Sequence, residues 1–239
     1  MQKAIECVDK DMLSTMLAHF KDKSKLMIHD QNGNHVIQKC VEVTCKLAVK
    51  NQEPRYLENI DFIVKTILDD LPGYSCHAYG CRVVQRMLEH CIGDHKVDTL
   101  NRIGEHIEML IDDQFGNYVL QHTLQYGLPA QRELIISLVK RRGILVASSQ
   151  KFASNVVEKI LVFGTFSETS GIIGLILESK QVLIAMVKNP FANYVVQKAI
   201  AVAGGQQKQA LLSALMESAE DLRSCQYFLH IQKKYLGCV

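Results

Sequence analysis

Five times along the chain, a pair of adjacent apolar residues is framed in the same way. A small residue comes first, then two polar or flat-faced residues, the apolar pair, an amide or acid, and a basic residue or histidine. The copies are GNHVIQK (33–39), GCRVVQR (80–86), GNYVLQH (116–122), ASNVVEK (153–159) and ANYVVQK (192–198). Wound as a helix at about 100° per residue, the second copy gathers Cys81, Arg82, Gln85 and Arg86 within an arc of about 140°. Val83, Val84, Met87 and Leu88 fall on the opposite arc. Asn117, Tyr118, Gln121 and His122 separate in the same way from Val119, Leu120, Thr123 and Leu124. Each block therefore predicts a helix with one face packed and the other presented. The small residues Gly33, Gly80, Gly116, Ala153 and Ala192 open these helices, where the chain turns in tightly. Four of them follow an aromatic ring: Tyr79, Phe115, Phe152 and Phe191.

The first polar positions are 34, 81, 117, 154 and 193, which puts the blocks 47, 36, 37 and 39 residues apart. A near-constant interval predicts stacked repeats. Between blocks run further amphipathic stretches, such as 96–110 with Val97, Leu100, Ile103, Ile107 and Leu110, and 129–140 with Leu134, Ile135 and Leu138. One such unit cannot bury its own apolar face, so neighbours must stack into a continuous core. No stretch alternates long enough to predict a sheet, and the expected fold is an all-α solenoid. The long first step carries an insertion at 44–55, expected to be a surface loop, and a second loop is expected at 163–171 around Phe166.

Composition narrows the class. At 48% hydrophobic and 22% charged, the 239-residue chain is globular in character. No apolar run approaches the roughly 18 residues that cross a bilayer, and no signal-peptide pattern opens the chain. A cytoplasmic protein with no membrane association is expected. The eight cysteines include no C-x-x-C pair, so reduced thiols are expected and no metal. A net charge of +2 leaves any nucleic-acid affinity to local placement. There is no nucleophile–base pairing, no H-E-x-x-H, no phosphate-cradling glycine loop and no carboxylate pair on one face, so neither an enzyme nor a cofactor is expected.

The presented face repeats a chemical theme. Its first and fifth positions, one helical turn apart, are Asn34/Gln38, Cys81/Gln85, Asn117/Gln121, Ser154/Glu158 and Asn193/Gln197. The second position is flat: His35, Arg82, Tyr118, Asn155 and Tyr194. Hydrogen-bonding pairs separated by stacking groups suit unstacked bases, one per repeat, and stacking contributes roughly 1–3 kcal/mol per base. The sixth position, Lys39, Arg86, His122, Lys159 or Lys198, could meet phosphates. Glu158 is acceptor-only when ionised, and guanine alone offers two adjacent N–H donors on its Watson–Crick edge. Glutamine both donates and accepts, which matches uracil.

These blocks resemble the repeats of the Pumilio (PUF) family. DQNGNHVIQKC (30–40) and GCRVVQRMLEHC (80–91) are similar to that family's fourth and fifth repeats, and the other three blocks resemble the sixth, seventh and eighth in order. The resemblance spans nearly the whole chain. It implies a single Pumilio-homology domain over 1–239, with a remnant of a third-type repeat at 1–8. Repeats would follow at 9–45, 53–92, 93–127, 128–164 and 171–204, with a capping half-repeat at 205–239. It further implies a right-handed α-α superhelix, armadillo-like, with three helices per repeat. Its concave second helices would read single-stranded RNA running antiparallel to the chain. Carried onto these positions, Asn193/Gln197 implies uracil, Ser154/Glu158 guanine, Asn117/Gln121 uracil, Cys81/Gln85 adenine and Asn34/Gln38 uracil. The implied core is 5′-UGUAU.

The same resemblance implies a monomer that binds messenger RNA 3′ untranslated regions and represses translation or message stability. Protein co-repressors would dock on the convex face or the 163–171 loop. The chain departs from the family in opening within a third-type repeat, with Gln2 at a fifth position whose partners are missing. The stretch 211–236 resembles the family's closing half-repeat, where Tyr227, Phe228, Leu229 and His230 stand in place of a base-reading set. Two alternatives are an armadillo-like scaffold that binds extended peptides and a nucleolar relative acting in ribosome assembly. The first predicts an asparagine ladder without the Ser154/Glu158 exception, and the second generally has degraded triplets.

Overall fold

The computed structural model describes residues 1–237, and these are helical with no strand among them. They divide into two compact units, Met1–Gln131 and the chain from Arg132 onward. Five helices carry the blocks: α1 (Gly33–Lys50), α2 (Gly80–His90), α3 (Gly116–Tyr126), α4 (Ala153–Phe163) and α5 (Ala192–Val202). Each is preceded by a longer first helix and a short middle one. For α3 these are Gly93–Gly104 and Ile107–Leu110, and for α5 they are Phe166–Ile176 and Lys180–Lys188.

In the first unit α1 packs on α2 and α2 on α3, and in the second α4 packs on α5. The apolar side of each block is core. Val83, Val84, Met87, Leu88, Val119, Leu120, Val156, Val157, Val195 and Val196 are fully buried. The helical split expected from the blocks is therefore the split observed.

Three expectations are corrected. The stretch 96–110 is broken at Glu105 and His106 into two helices, which gives three helices per repeat. The insertion is not a loop from residue 44, because α1 runs on to Lys50. Thr44, Cys45 and Ala48 continue its buried face, and a 3-10 segment, Pro54–Ile60, follows with Leu57 and Ile60 buried. The expected loop at 163–171 is only Gly164 and Thr165. A capping box, in which Thr165 accepts from the Glu168 N–H and the Glu168 carboxylate accepts from the Thr165 N–H, starts the next helix at Phe166. Past α5, Gly205–Glu217, Ala219–Leu222 and Gln226–Ile231 lead to a π-helical turn, Gln232–Leu236. Phe228 is buried there, and the Tyr235 hydroxyl donates to the Gln197 carbonyl at 3.2 Å, which closes that end over α5.

Candidate nucleic-acid interface

The first N–H groups of a helix have no partner within it, and here a side chain four residues before the first block position supplies one. Asp30 Oδ1 accepts from the N–H of Asn32 at 2.9 Å and of Gly33 at 2.6 Å. Asp113 Oδ1 accepts from Phe115 at 2.8 Å and Gly116 at 2.7 Å, and Asn189 Oδ1 accepts from Phe191 and Ala192, both at 2.9 Å. In front of α2 the acceptor is His77 Nδ1, at 3.2 Å from the Tyr79 nitrogen and 3.1 Å from that of Gly80. The donated bonds hold the Asp30 carboxyl below its usual range. Burial, then the neighbouring His29, lower the His77 pKa, which keeps Nδ1 free to accept.

The small residue that follows is needed for close approach. A Cβ on Gly80 would lie 2.6 Å from the Tyr74 carbonyl oxygen and 3.0 Å from its Cα, closer than side-chain carbons pack. Gly33 and Gly116 sit in the same way against Met27 and Leu110. The aromatic residues before the small position, Tyr79, Phe115, Phe152 and Phe191, are half-buried.

Each first-position residue is turned inward. Asn34, Asn117 and Asn193 are 1%, 0% and 1% exposed. Both Nδ2 protons of each go to backbone carbonyls, those of residues 30 and 31, 113 and 114, and 189 and 190, at 2.8–3.0 Å. Their Oδ1 atoms accept from the fifth position. Gln38, Gln121 and Gln197 donate through Nε2 at 2.8, 2.8 and 3.1 Å. Cys81 directs its thiol to the Ala78 carbonyl at 3.5 Å, and Ser154 donates to the Lys151 carbonyl at 3.1 Å. Burial raises the Cys81 pKa, so a reactive thiolate is disfavoured there. Gln85 Nε2 is buried and has no partner. Burial raises the Glu158 pKa, with Lys198 and then Lys159 opposing it.

The second positions point outward. His35, Arg82, Tyr118 and Tyr194 are exposed and Asn155 is half-buried, and the Arg82 guanidinium lies 5.7 Å from the centre of the Tyr118 ring. Four of the sixth positions make contacts within the protein, and Lys198 bears on Glu158 through its charge. Lys39 pairs with Glu6 at 2.7 Å and Glu42 at 2.8 Å, and Arg86 with Glu89 at 2.5 Å. His122 Nδ1 lies 3.2 Å from the Tyr118 carbonyl, and Lys159 sits over the Phe163 ring at 5.3 Å. Sequence reasoning missed the cap acceptors Asp30, His77, Asp113 and Asn189. A polar residue recurring four positions before the first block residue was the available signal.

Fold and site together define an all-helical repeat protein whose block helices bury their first-position residues and carry their second-position residues on a more exposed side. A family model described as the Pumilio-family RNA binding repeat matches residues 26–46, 73–103, 113–139, 148–177 and 183–216. The chain belongs to this Pumilio family. It is 34% identical over 218 residues to a Pumilio domain-containing protein of Schizosaccharomyces pombe, covering 90% of this chain and 30% of that one. It is 32% identical over 181 residues to Pumilio homology domain family member 4 of Saccharomyces cerevisiae, covering 74% of this chain and 19% of that one. The chain thus spans a third or less of these two relatives. Among solved structures, it resembles PUF-8 in complex with PBE-RNA, with a TM-score of 0.86 and 30% identity, over 98% of this chain and 66% of that one. It also resembles the Puf3 RNA binding domain bound to a Cox17 RNA 3′ UTR recognition sequence, with a TM-score of 0.82 and 33% identity, over 96% of this chain and 68% of that one. The all-helical repeat architecture expected from the blocks is therefore that of PUF domains.

Proposed function

We propose that this chain is a sequence-specific single-stranded RNA-binding module that reads one base per block, with a core of 5′-UGUAU read from α5 to α1. One observation carries the reading. At the same phase of five helices, three different first/fifth pairs stand on the same kind of helix, each with its first residue buried and its apolar side in the core. Gln38, Gln121 and Gln197 keep an acceptor and one N–H, the complement of uracil's N3–H beside a carbonyl. Glu158 offers two acceptors to guanine's two donors. Gln85 holds a donor that lacks an acceptor, and the ring nitrogen of adenine supplies one. Tyr118, Tyr194, His35, Arg82 and Asn155 provide the stacking surfaces between bases.

The likeness to the Puf3 domain bound to a 3′ UTR recognition sequence supports a setting on messenger RNA 3′ untranslated regions. The proposed role is occupancy of cytoplasmic messages by a monomer and recruitment of repressive partners, with no chemistry on the RNA. Titration with an oligonucleotide containing UGUAU and with one carrying UAUAU tests the reading. Loss of the Glu158 contacts should weaken binding by roughly ten- to a hundredfold, since hydrogen bonds to a charged group contribute about 1.5–3 kcal/mol. Equal affinity for the two would end the base-reading model and favour a peptide groove.

A further inference from the structure

The first-position residues are buried and their donors are spent on the backbone, so their part in recognition must run through the fifth position. Asn, Cys and Ser all give their protons to the carbonyl three residues back, and Asn gives a second to the carbonyl four back. They differ in what is left. Only Asn keeps an amide oxygen pointing up the helix, and in all three Asn blocks the glutamine one turn later donates Nε2–H to it. In the Cys block the sulfur is at best a weak acceptor, and Gln85 Nε2, in a side chain 5% exposed, has no partner.

A glutamine amide has two orientations that exchange its oxygen and nitrogen. Uracil and adenine present opposite orders along the same edge. Where uracil has a carbonyl beside a ring N–H, adenine has an amino group beside a bare ring nitrogen. An amide fixed in one orientation matches one of these bases and opposes the other.

We infer that the first-position residue is a positioning residue for the fifth: Asn34, Asn117 and Asn193 pin the amides of Gln38, Gln121 and Gln197 in the uracil-reading orientation, and Cys81 leaves Gln85 free to turn. This inference rests on the base-reading function proposed above. It makes two statements that the bare pairing of residues with bases does not. Pinning exists before any RNA arrives. Discrimination between uracil and adenine is also steeper at the Asn blocks than at the Cys block, because turning a pinned amide breaks its bond to Asn and strands a buried acceptor.

The test uses Asn117→Cys and Asn117→Ser, residues that this chain already holds at the same position in α2 and α4. In the free protein, the side-chain amide protons of Gln38, Gln121 and Gln197 should exchange slowly with solvent by nuclear magnetic resonance. Either substitution should speed the exchange at Gln121, while the circular dichroism spectrum stays unchanged. With RNA, uracil-over-adenine preference at that base should fall at least tenfold, and Cys81→Asn should move the preference at its own base toward uracil. Unchanged Gln121 exchange, or uracil preference kept intact in both variants, overturns the inference. If no base is preferred at any block, the RNA-reading proposal fails, while the exchange measured in the free protein still decides whether the amides are pinned.

Discussion

The two units of the chain solve one packing problem with different atoms. In the first, Gly33, Gly80 and Gly116 let a block helix lie against the backbone of the short helix before it, at distances a Cβ could not keep. In the second, Ala153 and Ala192 occupy the same position, fully buried, so the backbones there stand far enough apart to admit a methyl group. The cap acceptors vary as well, with Asp30, His77 and Asp113 in the first unit and Asn189 in the second. The small position and the acceptor four residues before the pair tolerate several residue types provided that size and lone-pair placement are met. The base-facing edge is where a change of residue type changes the chemistry.

Exchanging the small residues should break this comparison most visibly. Gly80→Ala drives a Cβ into the Tyr74 carbonyl and should cost about 2–3 kcal/mol, as overpacking typically does. The mirror change Ala153→Gly relieves no clash and should cost only about 0.5–1 kcal/mol, from lost helix preference. Urea unfolding of both variants compares them directly, and equal costs would show that the spacings are the same.

A second contrast sets Glu158 against the glutamines. Its raised pKa means that the fold holds a carboxylate whose charged form is disfavoured. That penalty is absent at pH values below the ordinary carboxylate range and grows as pH rises through the elevated value. Glu158→Gln should therefore raise the melting temperature at neutral pH while abolishing guanine preference at that base. In the parent, guanine preference should fade on acidification at a higher pH than an ordinary carboxylate would give. A variant that loses both stability and preference would place Glu158 in the scaffold and not on the base-facing edge.

The smallest effect separates the caps. His77 accepts through Nδ1, and protonation would remove that acceptor. Its folded-state pKa is lowered, so its contribution is complete above the usual histidine range and is lost as pH falls through the folded value. His77→Asn, which copies Asn189, should flatten that part of the pH dependence by up to about 1 kcal/mol, the usual contribution of a cap. Chemical denaturation across the acid range in both proteins reads the difference.

The helix phase of each block was legible because Val83, Val84, Met87 and Leu88 can share only one side, and the outward set followed from it. The Pumilio repeat itself was legible in the five blocks. The caps were not, because Asp, His and Asn look unrelated until their lone pairs are seen meeting the same two N–H groups. The inward turn of Asn34, Asn117 and Asn193 was hidden for a related reason, since periodicity places a residue on a face without saying whether its amide bends back to the chain. The length of α1 was misjudged because polar Thr44 and the lysines beyond it resemble a loop, whereas Thr44, Cys45 and Ala48 keep the helical period of the core. Lys39 looked available to phosphate because Glu6, its partner across helices, is 33 residues away in the chain.

Arg82 lies over the Tyr118 ring, so the flat surface offered at that step already carries a cation. Under the proposed base reading, a nucleobase stacking on Tyr118 between the second and third blocks would enter by displacement, moving the Arg82 guanidinium off the ring. Its net gain is the difference between two guests of one ring, so a visitor with a weak π-face gains little. On that reading Arg82 would set a threshold at this step, opposing casual contacts and yielding to a base whose neighbours are already seated.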